Sequence, residues 1–213
     1  MSIDKEFFRQ VLGQFVTGVT VVTTRGSAGL VGLTVNAFSS VSLDPPLILV
    51  CIDLKSRTLQ AIRESQVFAV NILSQEQEEL ARCFAVPSEE RYRYFCHAPY
   101  RLSARGTPLL EGSLAFVEAR LVADYPGGDH AILLGEVVAL GTHDRPSAPS
   151  VQANAAPSEH EAASIDIALH DGNGQPGQPE KQPLAYYRGR YRHLASDYAQ
   201  PSLSPLPAPS DVV

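Results

Sequence analysis

Five side chains carrying hydroxyl or amide groups, Thr34, Asn36, Ser39, Ser40 and Ser42, fall within nine positions of the stretch 32–46. Small neighbours leave backbone N–H groups accessible beside these side-chain donors and acceptors. The double proline Pro45-Pro46 ends the stretch and excludes a helix there. Such a wall suits a flat polar ring with a phosphate tail. A polar sheet face with a turn has the same composition, so composition alone leaves both readings open.

Ser56-Arg57-Thr58 forms a second candidate group. Two hydroxyls, a guanidinium and the free N–H groups of a helix start favour an anion; a capped helix with a solvated arginine is the alternative. His130, after Gly127-Gly128-Asp129, is the sharpest single candidate, and a turn residue bonded to Asp129 is the competing reading. No Ser/His/Asp signature, no HExxH and no placeable pair of carboxylates competes. Gly172-Asn173-Gly174-Gln175-Pro176-Gly177 matches GxGxxG formally. No apolar strand leads into it and prolines follow, so it is not read as a dinucleotide fingerprint. His143, His160, His170 and His193 receive no catalytic role, and no metal site is predicted.

Positioning these groups requires strands on either side. Residues 4–16 read as a helix capped by Asp4, with Phe7, Phe8, Val11, Leu12 and Phe15 as an apolar stripe expected to pack on a sheet. Residues 19–24 and 30–35 read as a hairpin, 47–52 as a strand apolar on both faces, and 67–73 as another strand. Helices are expected over 58–64 and 75–84, and a partly exposed loop or dimer contact over 89–95. Two long strands, 114–125 and 131–140, flank the turn at Pro126 to Asp129. Residues 183–194 read as one closing strand at the barrel edge.

The chain has 213 residues, 44% of them hydrophobic, and a net charge of -6. That size fits one domain plus appendages, and the negative balance argues against nucleic acid or an anionic membrane as partner. Cys51, Cys83 and Cys96 form no CxxC pair, so reduced thiols are expected. The N-terminus lacks an apolar leader and the run 47–52 is too short to cross a bilayer, which predicts a cytoplasmic protein. Residues 146–182, rich in Pro, Gly, Ala, Ser, Gln and Glu, are read as a flexible insertion, and 196–213 as a Pro-rich tail. The domain is then 1–145 closed by 183–195.

The order of Phe15-Val16-Thr17-Gly18-Val19-Thr20-Val21-Val22-Thr23, the stretch 32–46, and Leu47-Ile48-Leu49-Val50-Cys51 resembles the flavin reductase family of the FMN-binding split barrel. Phe68 to Leu73, Leu80-Ala81-Arg82-Cys83-Phe84-Ala85, Gly128-Asp129-His130 and Pro183 to Tyr191 extend the match to 7–143 and 183–194. The resemblance implies a mainly β, antiparallel Greek-key split barrel with flanking helices, and a homodimer. It implies NAD(P)H-dependent reduction of FMN or FAD by NADH or NADPH, with reduced flavin passed to a partner monooxygenase. A flavin-binding or sensor module without turnover is the alternative. By resemblance Thr34, Val35, Asn36, Ala37, Ser39 and Ser40 line the ring and ribityl chain. Cys51, Ile52 and Asp53 continue that wall, Ser56, Arg57 and Thr58 take the phosphate with Phe84 and Ala85 nearby, and His130 stands at the nicotinamide.

Overall fold

A computed structural model describes residues 3–142 and 181–194. Asp4 caps α1 (Lys5–Leu12), its carboxylate accepting from the Phe7 N–H at 2.7 Å. The apolar stripe is there, but no residue of α1 is buried, and Phe7, Phe8, Val11 and Leu12 are all exposed. The expectation that this helix packs on its own sheet is therefore corrected.

The strands β1 (Thr17–Gly18), β2 (Thr20–Gly26), β3 (Gly29–Val35), β4 (Phe38–Leu43) and β5 (Pro46–Asp53) lead to α2 (Arg57–Ser65). Then come β6 (Val67–Ile72), α3 (Glu78–Ala85), α4 (Glu89–Tyr94), β7 (Tyr100–Leu102) and β8 (Pro108–Leu110). The long hairpin of β9 (Ala115–Gly127) and β10 (His130–Thr142) follows, and β11 (Leu184–Tyr187) and β12 (Arg190–His193) end the described chain. The region 75–84 begins with a 3-10 turn, Gln75–Gln77, before α3. The region read as a loop at 89–95 is mostly the helix α4, because Ser88 caps it by accepting from the Arg91 N–H.

Seven antiparallel strands form one sheet in the order β3-β2-β6-β9-β10-β5-β4. The sheet curls on itself: Val35 from one end and Ile48 and Val50 from near the other share a core with Val22, Phe68, Val70 and Leu133. In the strand order β3 and β4 are not paired with each other, so the curl stays open between them. Leu59 and Ile62 of α2 are buried in the same core. The fold is thus mainly β and antiparallel, with flanking helices, as the family resemblance implied.

A second core, with Val19, Val21, Leu73, Ala81, Phe84 and Leu184, seats α3 on the sheet. Its approach requires Gly32, where an added Cβ would lie 2.6 Å from a Phe84 ring carbon. At the β9–β10 turn, Gly128 takes φ +75, the left-handed region glycine enters without steric cost.

Two further expectations are corrected. Residues 183–194 form not one closing strand but a hairpin, because Arg188 and Gly189 turn at positive φ between β11 and β12. That hairpin joins β1 in a separate three-stranded sheet, with Thr17 opposite Tyr186. Cys83 and Cys96 are disulfide-bonded rather than reduced. The chain after α4 reverses through Phe95, Cys96 and His97, all at positive φ, and brings Cys96 back to α3; Cys51 is the free thiol.

The insertion up to residue 180, the tail 196–213, Gly172 to Gly177, His143, His160 and His170 lie outside the described residues. Among the described residues no helix is long and apolar enough to cross a membrane.

Candidate functional site

The polar stretch bends between β3 and β4. The Cys51 N–H donates to the Ala37 carbonyl at 3.0 Å, which holds the bend against β5. Asn36, Ala37, Ser39 and Cys51 then line one cleft of about 790 Å³, within the size range of small-molecule sites. Leu12, Phe15, Val16 and Thr17 form its opposite wall. Sequence reasoning missed this wall, although the apolar stripe ending at Phe15 was its signal.

Thr34 and Asn36 also line a smaller cleft of about 170 Å³ with Ala85, Tyr186 and Tyr191. Asn36 therefore stands where the two clefts meet. Thr34 is held by its hydroxyl, which donates to the Ala81 carbonyl at 2.7 Å. The two tyrosines were not predicted; they arrive because β11 pairs with β1. Burial pushes the Tyr191 phenol above its ordinary value, and burial likewise raises the Cys51 thiol, keeping it protonated at neutral pH.

Strand β5 runs from this cleft to the second candidate group. Asp53 ends it, accepting the Lys55 N–H at 2.7 Å with its side chain and the Ser56 N–H at 2.9 Å with its carbonyl. Ser56 caps α2 by accepting from the Thr58 N–H at 3.2 Å. Thr58 is 1% exposed and its hydroxyl has no hydrogen-bond partner. A buried hydroxyl left unpartnered is costly. At a helix start it is where a phosphate oxygen would be received, so the residues present fit a phosphorylated cofactor. Arg57 is exposed, with its guanidinium carbon 4.3 Å from the centre of the Tyr92 ring.

His130 opens β10 directly opposite Asp53. Its Nδ1 lies 2.7 Å from Asp129 Oδ1, and that hydrogen bond holds the Asp129 carboxyl below the usual carboxylate range. The imidazole is half exposed at 44%. Of the predicted residues, four lie apart both from the clefts and from the Asp53–Thr58 and His130 group: Val35 and Ile52 are core side chains, Phe84 is wholly buried against Phe95, and Ser40 is exposed on β4.

The site is thus a curled antiparallel sheet with an open cleft of small-molecule size, lined by Asn36, Ala37, Ser39 and Cys51 together with the apolar Leu12, Phe15 and Val16. The chain belongs to the flavin reductase-like domain family, whose model matches residues 12–195. It is 43% identical over 150 residues to a flavin reductase (NADH) of Kitasatospora aureofaciens, covering 70% of this chain and 76% of that protein. It is 32% identical over 201 residues to HsaB of Rhodococcus jostii, the reductase subunit of a flavin-dependent monooxygenase, covering 94% and 84%. Among solved structures, the NADH:FAD oxidoreductase SgcE6 of Streptomyces globisporus, in complex with NAD and FAD fragments, superposes with a TM-score of 0.69. The two are 32% identical, and the alignment covers 91% of this chain and 94% of that one.

Proposed function

We propose that this chain is an NADH-dependent flavin reductase, transferring a hydride from reduced nicotinamide to FMN or FAD and supplying reduced flavin to a separate monooxygenase. The observation that carries the reading is the cleft between α1 and β4–β5, where Asn36, Ala37, Ser39 and Cys51 converge. A flavin bound there supplies the hydride-accepting ring, and the protein supplies position and hydrogen bonds.

Asn36 and the backbone of the 36–39 bend present donors and acceptors to a polar ring edge. The side chains of Leu12, Phe15 and Val16 make part of the cleft's lining apolar. Ser56, Arg57 and Thr58 receive the phosphate at the start of α2. The neutral Cys51 thiol adds no charge beside the ring. His130, oriented by Asp129, takes the nicotinamide side and offers its Nε2 to that ligand.

The exposed stripe of α1 fits a homodimer, because Phe7, Phe8 and Val11 present an apolar patch that a second copy would cover. On this reading residues 1–145, closed by 183–195, make one domain. The partner is a flavin-dependent oxygenase, and the cytoplasm, which holds reduced nicotinamide, is the compartment the activity calls for.

Anaerobic mixing of catalytic protein with excess FMN or FAD and NADH tests this. Many flavins bleached per chain is the expected result; one bound equivalent bleached, or none, overturns it.

A further inference from the structure

A groove of about 320 Å³ continues from Arg57 along α2, away from the β5 end of the flavin site. Its floor is α2, where Arg57, Gln60 and Glu64 recur at helical spacing and share one face. Its other wall is the tip of the β2–β3 hairpin, Ala28 and Gly29, and Tyr92 closes one end. From Arg57 to Glu64 the helix rises about 10 Å, enough for a nucleoside laid along it.

The charges at this end are unbalanced. Arg57 and Arg91 both lie against the Tyr92 ring, at 4.3 and 5.1 Å from its centre. Arg91 is 4% exposed and donates Nε to the Gly32 carbonyl at 2.8 Å. Among the described residues neither guanidinium forms an ion pair with a carboxylate. Arg91 is held at the Gly32 carbonyl and does not line the groove, so the cation that faces an anion there is Arg57. Burial and the neighbouring Arg57 push the Arg91 pKa below its ordinary value.

The far end has a different chemistry. Gln60 is exposed with its amide free, and Glu64 accepts from the Ser27 N–H and hydroxyl with one carboxylate oxygen, leaving the other to a hydroxyl or amine. A guanidinium stacked on a tyrosine leaves its outer face to a purine.

A cation and a stacking face at the Arg57–Tyr92 end and a hydrogen-bond acceptor at Glu64 are the contacts an adenosine 5′-phosphate uses. We infer that this groove takes the adenosine half of FAD, with Tyr92, Arg57, Gln60 and Glu64 making the protein select FAD over FMN. The inference rests on the flavin-reductase reading, since Arg57 borders both the proposed phosphate position and the groove. An adenosine phosphate also belongs to the nicotinamide dinucleotides, and the test separates the sources.

The full chain, Tyr92→Ala and Ala28→Trp are compared by the KM values for FMN, FAD, NADH and NADPH, with a melting curve for each. Tyr92→Ala removes the platform, and Ala28→Trp fills the groove from an exposed hairpin tip. The expected result is a lower KM for FAD than for FMN in the wild type, with the FAD:FMN ratio raised about tenfold in both variants, as the loss of one base stack would give. Equal KM values for the two flavins in the wild type, or equal shifts for both in the variants, overturn it. A shift confined to NADH or NADPH assigns the groove to the other dinucleotide and overturns it as well. Wild-type turnover of FMN with no FAD preference defeats the groove alone, whereas no turnover of either flavin defeats the underlying function and the groove with it.

Discussion

Asn36 Nδ2 donates to Thr17 Oγ1 at 3.3 Å, tying the polar bend after β3 to the short strand that leads out of α1. Both residues line the large cleft, so this bond joins its two walls. Asn36→Ala should weaken flavin binding about tenfold while costing less than about 1 kcal/mol of stability, the scale of one exposed hydrogen bond. Flavin titration beside a denaturant melt would show it, and unchanged affinity would remove Asn36 from the site.

Thr58 offers a cleaner separation of folding from binding. Its hydroxyl has no partner, so an isosteric methyl forfeits no hydrogen bond within the protein. Thr58→Val should leave the melting temperature unchanged or slightly higher. The flavin KM should rise about tenfold, as expected for a lost charge-assisted hydrogen bond. A lower melting temperature with unchanged KM would make Thr58 purely structural.

His130→Gln should raise the KM for NADH more than that for flavin, by about tenfold on the same hydrogen-bond scale. The variant also loses the ring that depresses the Asp129 carboxyl. A depressed folded value means a contribution present above the unfolded carboxylate value and lost as pH falls through the folded one. In wild type the Asp129–His130 contact should therefore weaken as pH falls through the depressed Asp129 value, and NMR titration of Asp129 should move up in the variant. Identical Asp129 titrations in both proteins would rule out the orienting role.

Charging the exposed stripe should separate the copies. Phe8→Asp combined with Val11→Asp places two carboxylates on the α1 patch. Light scattering should report a monomer, with a higher flavin KM because Leu12 and Phe15 of the adjoining segment line the cleft. A wild-type monomer would refute the assembly.

The disulfide is testable by counting. One thiol per chain, Cys51, should react in the unfolded, unreduced protein, and three after reduction. Cys96→Ala opens a loop whose ends are 13 residues apart, and should lower stability by about 3 kcal/mol on chain-entropy grounds. Three reactive thiols without reductant would restore the reduced state expected from the sequence.

Much of the fold was legible because its signals are local. The β-branched run of β2, the Gly128 turn and the Asp4 cap each act within a few residues, and each stands where it was expected. What escaped depends on distant pairing. Cys83 and Cys96 meet only because a reversal at positive φ follows α4, and nothing in Phe95 or His97 announces such a conformation. The 183–194 hairpin hinges on Arg188-Gly189, a turn signal overlooked among tyrosines and arginines. Spacing alone also could not separate Val35 and Ile52, which face the core, from Asn36 and Cys51 beside them, which face the cleft. In a strand, alternate residues face opposite ways, and the stretch 34–37 mixes both.

The apolar wall given to the cleft by Leu12, Phe15 and Val16 makes occupancy and association two readings of one equilibrium. If a second copy steadies that wall, flavin must tighten the pairing of copies by the same factor by which pairing tightens flavin. Dilution would then release flavin, and added flavin would resist dilution. In a cell the reductase would hold its flavin most firmly where the protein itself is abundant, and let it go as the protein becomes scarce.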